Sequence, residues 1–332
     1  MKTPLCKLLN IELPIIQAPI GSATNPELTA AISNSGGLGM LSMTWRTEAE
    51  VRQLIRQTKA LTDRPFGVNF VLEFEIENQL KICLAEGIKI ISLFWGTPEP
   101  YIDWIHQAGG IAIHSVGDTI EAIEAKRIGV DVVVAQGWES GGHVRGNVST
   151  MTLVPAVVDA VAPLPVVAAG GIADGRGILA ALALGASGVW LETRFLSSYE
   201  AAIHQIYRQK LLEAKVEDTV YSTVFDLGWK NAPHRTLTNS TIQMWKAAGQ
   251  PQSGERPKEG EILGYTATGE PIIRYSDTIP RLNMQGNLEA LALYAGQSVG
   301  LINDAKPSAE IMAKLVEEVE LNYQHLKDSL GW

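Results

Sequence analysis

Short apolar runs rich in β-branched residues alternate with stretches of helical periodicity through the first two thirds of the chain. The runs are Ile15 to Ala18, Leu38 to Leu41, Phe66 to Phe70, Ile90 to Phe94, Ile111 to Ser115, Val132 to Gln136, Pro165 to Ala168 and Gly188 to Leu191. Runs such as Val132 to Ala135 are apolar at every position rather than at alternate ones, as strands are when both faces of a parallel sheet are buried. Eight strand-helix units in series at similar spacing predict a closed parallel barrel rather than an open doubly wound sheet. The longest interval, Val132 to Pro165, holds a glycine-rich loop. Polar positions mark helix starts: Thr47 with Glu50 reads as a capping box ahead of Val51, Leu54, Ile55 and Thr58. Ser197 with Glu200 reads as a second, ahead of Ile203, Ile206, Tyr207 and Leu211.

Beyond Ala214 the pattern changes. Gly249 to Gly269 is rich in glycine, proline and charge and predicts an exposed excursion without periodicity. Leu288 to Tyr294 is apolar, and Ile311, Met312, Leu315, Val316, Val319 and Leu326 share one helical face, so this segment is expected to pack back onto the barrel. The predicted fold is α/β: a (β/α)8 TIM barrel over residues 1–214, with a C-terminal helical extension over residues 215–332 packed on it and no second core.

Composition narrows the class of function. A chain of 332 residues with 46% hydrophobic positions can bury one large core. A net charge of −9 argues against nucleic acid or an anionic membrane as partner, since both need a basic surface, and leaves a small-molecule substrate. Cys6 and Cys83 form no CxxC pair, so neither a disulfide scaffold nor a metal site is predicted. Met1 to Asn10 lacks the basic-then-apolar pattern of a signal peptide, and no apolar run reaches the ~20 residues of a membrane span. A cytoplasmic protein is expected, and a homodimer is compatible with the sequence.

In such a barrel the active site forms at the C-terminal ends of the strands. Those ends read Gln17-Ala18-Pro19-Ile20-Gly21, Gly67-Val68-Asn69, His114-Ser115 and the loop Gln136 to His143. In that loop Gly141 and Gly142 let the backbone approach a flat ligand, and His143 titrates near neutral pH and so can give or take a proton. Gly170 and Gly171, between strand and helix, expose backbone N–H groups of the kind that bind phosphate, and Leu191-Glu192-Thr193-Arg194-Phe195 would complete the cup. Taken alone, Asn69 reads more readily as a turn residue than as a ligand contact, and His114 as a hydrogen-bonded structural histidine. His106, His204, His234 and His325 receive no role, and Glu139 with Asp174 forms no acid pair. No P-loop or strand-linked GxGxxG is present.

At these residues the chain resembles the nitronate monooxygenase, or 2-nitropropane dioxygenase-like, family of FMN-containing (β/α)8 barrels. The resemblance is carried by Gln17-Ala18-Pro19, Pro65-Phe66-Gly67-Val68-Asn69, Gln136-Gly137 with Glu139-Ser140-Gly141-Gly142-His143, Ala169-Gly170-Gly171-Ile172, Thr193-Arg194-Phe195 and Ala295-Gly296-Gln297. It implies that residues 1–214 bind FMN and residues 215–332 complete the flavin and substrate pocket. It further implies flavin contacts from Asn69 and Gln136, with Gly141 lying against the ring. Phosphate would be bound by Gly171 and Thr193 through main-chain N–H groups, and Gln297 would reach back from the extension. Gln17, Ala18, Pro19, Gly142, Gly170 and Glu192 fall in the same cofactor-binding set, and His143 would be the catalytic base.

Two positions depart from the family. Ile20 replaces a methionine, which changes pocket shape. Glu192 replaces a glycine beside the phosphate, so its carboxylate is expected to point away or to pair with Arg194 or Arg176. The activity implied is oxidation of alkyl nitronates, and of nitroalkanes after proton removal, by O2 to a carbonyl compound and nitrite. The alternatives are an NAD(P)H-dependent FMN reductase of a quinone or enoyl thioester, since similar enoyl-ACP reductases share the Gly-Gly-His loop, and a non-catalytic flavin-binding barrel.

Overall fold

The uninterrupted apolar runs become strands. In the computed structural model, which describes residues 1–331, these are β1 (Ile15–Gln17), β2 (Gly39–Ser42), β3 (Phe66–Val71), β4 (Ile90–Phe94), β5 (Ile111–Val116) and β6 (Val132–Gln136). They are followed by Val166–Ala169 and Gly188–Leu191, each boundary within a residue or so of the sequence reading. Hydrogen bonding runs β1, Gly188–Leu191, Val166–Ala169, β6, β5, β4, β3, β2, with every pair parallel. A parallel bridge between Ile16 and Leu38 joins β1 to the lead-in of β2: Gln17 N donates to Leu38 O at 2.9 Å and Leu38 N to Ile15 O at 3.0 Å. The sheet closes into a (β/α)8 barrel.

Alternate strand residues serve two separate cores, which explains why the runs never alternate in polarity. Ile16, Met40, Ile90, Val134 and Val167 fill the barrel interior, plugged by Leu5 and Leu9 of the helix Pro4–Leu9, while Ile15, Val68, Ile91, Val133 and Ala168 face the surrounding helices. Burying each such side chain contributes about 1.5–3 kcal/mol. With its interior filled, the barrel leaves only its rim for chemistry.

Three local expectations divide. The box at Thr47 forms, with Glu50 N donating to Thr47 Oγ1 at 3.3 Å and Thr47 N to Glu50 Oε2 at 2.8 Å. The box at Ser197 does not form. Ser197 Oγ donates to Arg194 O, and the Glu200 carboxylate instead accepts from Ser308 N and Oγ at 2.9 and 2.8 Å, capping the C-terminal helix Ser308–Leu330. The following helix starts at Gln205 behind a His204 cap. A carboxylate that can cap either of two helices is claimed by the one that tertiary packing brings to it.

The Gly249 to Gly269 segment is likewise more ordered than its composition suggests. Ile262–Tyr265 pairs antiparallel with Pro271–Ile273 and with Gln285–Gly286 over an apolar cluster of Leu263, Ile272, Met284 and Leu288. Arg256, only 5% exposed, donates to Val224 O at 2.8 Å and pairs with Asp226 at 2.7 Å and with Glu259. The Arg256 charge is turned inward and paired while Glu255 and Lys258 stay exposed, a pattern composition cannot distinguish from a wholly solvated loop. The C-terminal helix buries Ile311, Met312, Leu315 and Val319, but its last turns leave the barrel and Leu326 is exposed. No helix among the described residues is long and apolar enough to cross a membrane.

Candidate active site

The strand ends meet at one cavity of about 540 Å³, a size suited to a cofactor or drug-sized ligand. Ala18 and Pro19 line it from the end of β1, Asn69 from β3 and Gln136 from β6. Gly141, Gly142 and His143 come from the loop after β6, and Gly170, Gly171, Glu192 and Thr193 from the last two strand ends. Gln17 and Gln297 do not line it. The Gln17 amide donates to Ala18 O and accepts from Met40 N at 3.0 Å, tying β1 to β2. Gln297 N donates to Glu139 O at 2.9 Å, holding the extension against the glycine loop.

The glycines create the close approaches that define the wall. A Cβ on Gly141 would stand 2.5 Å from Gly296 N and 2.6 Å from Ala295 C, so the loop and the extension meet backbone to backbone. Gly170 and Gly171 have φ of 100° and 72°, a conformation side chains resist, and a Cβ on Gly170 would meet Ser140 Oγ at 2.6 Å. That hydroxyl is buried without a hydrogen-bond partner. Beside it Thr193 opens the short helix Thr193–Leu196, whose first N–H groups lack intrahelical acceptors. Main-chain donors and an unpartnered hydroxyl together suit an anionic tail.

His143 is placed by a two-residue strand, Gly142–His143, paired antiparallel with His234–Leu237. Gln136 Nε2 donates to His143 O at 3.0 Å. The imidazole stacks on Trp229 with centroids 4.1 Å apart and an interplanar angle of 28°, and Tyr294 lies 5.4 Å away. Its Nε2 is buried without any partner. Burial first, and the neighbouring His234 second, hold its pKa well below the ordinary 6.5, so the ring is a neutral base with a free lone pair or N–H aimed at nothing in the protein.

His234, given no role from sequence, is fully buried 5.5 Å from His143. Its Nδ1 donates to Ala232 O at 2.9 Å and its Nε2 accepts from Phe225 N, which fixes the neutral tautomer; burial pushes its pKa to about 4. It positions the strand that carries His143 without adding charge. His114 is structural as expected, donating through Nδ1 to Leu93 O at 2.9 Å. Glu139 and Asp174 are helix caps, accepting from Thr150 N and from Arg176 N and Gly177 N respectively.

Glu192 departs from expectation. Neither arginine reaches it: Arg194 pairs with Asp304 at 2.6 Å and Arg176 with Asp174 at 2.5 Å. Its φ of −105° carries no left-handed strain, and its carboxyl faces Gly142 and the tyrosines Tyr207 and Tyr294, where burial raises its pKa to about 7. Below about pH 7 the carboxyl therefore stays neutral in the native state. Between pH 4.5 and 7 the unfolded chain loses that proton while the native state retains it, so stability falls as pH rises through this window. Glu192→Gln is therefore expected to be more stable than wild type at pH 8 by on the order of 2 kcal/mol, with the gain vanishing below pH 4.5. Thermal melts across pH check this, and an unchanged slope would refute it.

An aromatic box completes the wall that strand-end reasoning missed. Trp229 contacts Phe74 at 5.6 Å, Phe94 at 6.4 Å and Trp95 at 4.8 Å, and Asp277, Arg281 and Tyr294 close the far side. Phe94 and Trp95 carried a usable signal, standing at the end of β4. Trp229 falls in the Phe225 to Trp245 region that the sequence reading places on the pocket, whereas Asp277 and Tyr294 carried no signal, because they reach the cavity from a segment whose path no local pattern reveals.

Known proteins resemble this chain over nearly its whole length. A family model described as nitronate monooxygenase matches residues 2–80 and 72–318. A probable nitronate monooxygenase of Staphylococcus haemolyticus is 32% identical, over 95% of this chain and 96% of that one. A Mycobacterium tuberculosis protein named (3aS,4S,5R,7aS)-5-hydroxy-7a-methyl-1-oxo-octahydro-1H-indene-4-carboxyl-CoA dehydrogenase is 31% identical, over 95% of each chain. The solved structure of FabK from Thermotoga maritima superposes with a TM-score of 0.83 at 32% identity, over 99% of both chains.

Proposed function

The chain belongs to the nitronate monooxygenase family and is a flavin-dependent oxidoreductase, and from that premise we propose that it oxidises alkyl nitronates with O2 to a carbonyl compound and nitrite, using FMN. The observation that carries this reading is the neutral imidazole of His143 lining a cavity of cofactor size. A bound flavin would supply the transfer of electrons from substrate to oxygen, chemistry that belongs to the cofactor.

The chain's own groups would do the rest. Asn69 and Gln136 offer amide hydrogen bonds to the ring system, Gly141 and Gly142 allow its close approach, and Ala18 and Pro19 bound it at the β1 end. The amides of Gly170, Gly171 and Thr193 with Ser140 Oγ would hold the phosphate, and Glu192, neutral below about pH 7, accommodates that charge. Gln17 and Gln297 support the wall from behind. The His143 imidazole would take the α-proton of a neutral nitroalkane, while a nitronate, already an anion, needs no base. Trp229 and Tyr294 hold the imidazole in place and exclude water from one side.

A second reading, exchange of reducing equivalents with a nicotinamide or a CoA-linked substrate, is favoured by one observation: Arg46 and Arg281 line the same cavity without close ion-pair partners. Anaerobic mixing of the purified flavoprotein with ethyl nitronate, NADH or NADPH separates the readings. Bleaching of the flavin by nitronate alone is the expected result. Rapid bleaching by a nicotinamide but not by nitronate would replace the first reading with the second, and bleaching by neither would leave a non-catalytic flavin barrel.

A further inference from the structure

The mouth of the cavity carries a second group of residues that flavin binding and proton transfer do not use. Trp45, directly after β2, is 53% exposed, yet it is fixed by an edge contact to Phe74 at 5.3 Å and lines the cavity. Next to it, Arg46 has one carboxylate in range, Glu50 at 3.9 Å, whose Oε2 is already engaged by Thr47 N and Oγ1 at 2.8 Å each. Arg281 enters from the extension, its Nε buried and unpartnered, with no ion pair among the described residues. Both guanidinium groups border the same cavity; burial first and then the charge of Arg46 lower the pKa of Arg281, and Glu270 opposes them. Neither guanidinium has a close carboxylate free to engage it fully, which leaves both able to take an anionic ligand.

The geometry points to an adenosine-phosphate subsite at this mouth, with Trp45 as the platform for the base and Arg46 and Arg281 as the clamp on phosphate. Guanidinium groups suit phosphate because their planar donors match its oxygens two at a time. An indole beside them distinguishes a nucleotide from a free anion, since stacking of a base on an aromatic ring contributes about 1–3 kcal/mol. Because the same cavity runs inward to His143, a molecule anchored here by its adenosine phosphate can present its other end to the reacting centre. Two carriers share this chemistry, a phosphorylated nicotinamide dinucleotide and a coenzyme A thioester, and they differ in whether the ribose phosphate sits at the 2′ or the 3′ position. The subsite goes beyond nitronate oxidation and rests on the second reading, exchange with a nicotinamide or a CoA-linked substrate, whose anchoring end it specifies.

The test is calorimetric titration of the flavin-loaded protein with adenosine, adenosine 2′,5′-bisphosphate and adenosine 3′,5′-bisphosphate. At least one bisphosphate is expected to bind about ten-fold or more tightly than adenosine, with affinity falling as salt rises. Arg46→Gln and Arg281→Gln should each weaken it by about ten-fold, and Trp45→Ala should weaken all three ligands while Trp45→Phe restores most of the loss. Flavin absorbance and melting temperature show that each variant is folded, and the salt titration of wild type needs no variant. A tighter 2′-phosphate identifies the dinucleotide, a tighter 3′-phosphate the thioester, and equal affinities a site open to both. Bisphosphates no tighter than adenosine, or full affinity in Arg281→Gln, would overturn the subsite. The titration reads binding and not flavin reduction, so its failure leaves the nitronate reading standing, and the reverse holds too.

Discussion

Replacing His143 by alanine is expected to lower kcat/KM for a neutral nitroalkane by about 10²–10⁴-fold, the usual yield of a positioned general base, while turnover of the pre-formed nitronate changes by less than about ten-fold. The contrast follows from the neutral imidazole at the cavity wall: only the neutral substrate has a proton for it to take. The pH dependence follows from the same burial. Because the His143 pKa lies well below 6.5, the imidazole is already the free base at neutral pH, and nitroalkane turnover should hold level down to pH 6.5 and fall only in more acid solution, as the ring is protonated. Steady-state kinetics with both substrate forms across pH reads all of this. Equal losses on the two forms would reduce His143 to a positioning residue, and an acid limb above pH 6.5 would contradict its burial.

Gly141→Ala is the second change expected to act strongly. The added methyl would overlap Gly296 N and Ala295 C, backbone atoms of the extension that cannot rotate aside, so the glycine loop and the extension must separate. A destabilisation of about 1–3 kcal/mol is expected from such overpacking, together with loss of flavin during purification, because the same separation opens the cavity wall. Gly249→Ala is the control: it has φ +81° with nothing within 4 Å, so it should cost only the roughly 1–2 kcal/mol of left-handed backbone and leave flavin content unchanged. Denaturant melts and the flavin-to-protein absorbance ratio distinguish the two. Full flavin retention in Gly141→Ala would mean that the loop is not part of the cofactor wall.

Opposed pKa shifts in the interior set a further property of the native state. His143, His234 and His114 are all lowered by burial, so below pH 6.5 the unfolded chain binds protons that the native state does not, and stability falls as pH drops. Glu192 acts in the opposite direction as pH rises from 4.5 to 7. Buried histidines and a buried carboxyl thus press on the fold from opposite sides of the same pH range.

The sequence determined, by itself, whatever depends on neighbours along the chain. Unbroken apolar runs are strands buried on both faces, and their eight-fold succession with helices between them leaves a closed parallel barrel as the economical way to bury both sides. The positive-φ glycines Gly170 and Gly171 and the loop Gly141 to His143 were legible for the same reason, since only glycine permits those backbone turns and close approaches. Only the tertiary structure decided that Glu200 caps the C-terminal helix rather than the helix that follows it, that Arg256 is buried and paired, and that Trp229, His234 and Tyr294 surround His143. It also decided that Glu192 finds no arginine and that burial raises its pKa to about 7 instead. In each of these cases the partner lies distant in sequence, and the energy that selects it comes from burial, which a local pattern of side chains cannot express.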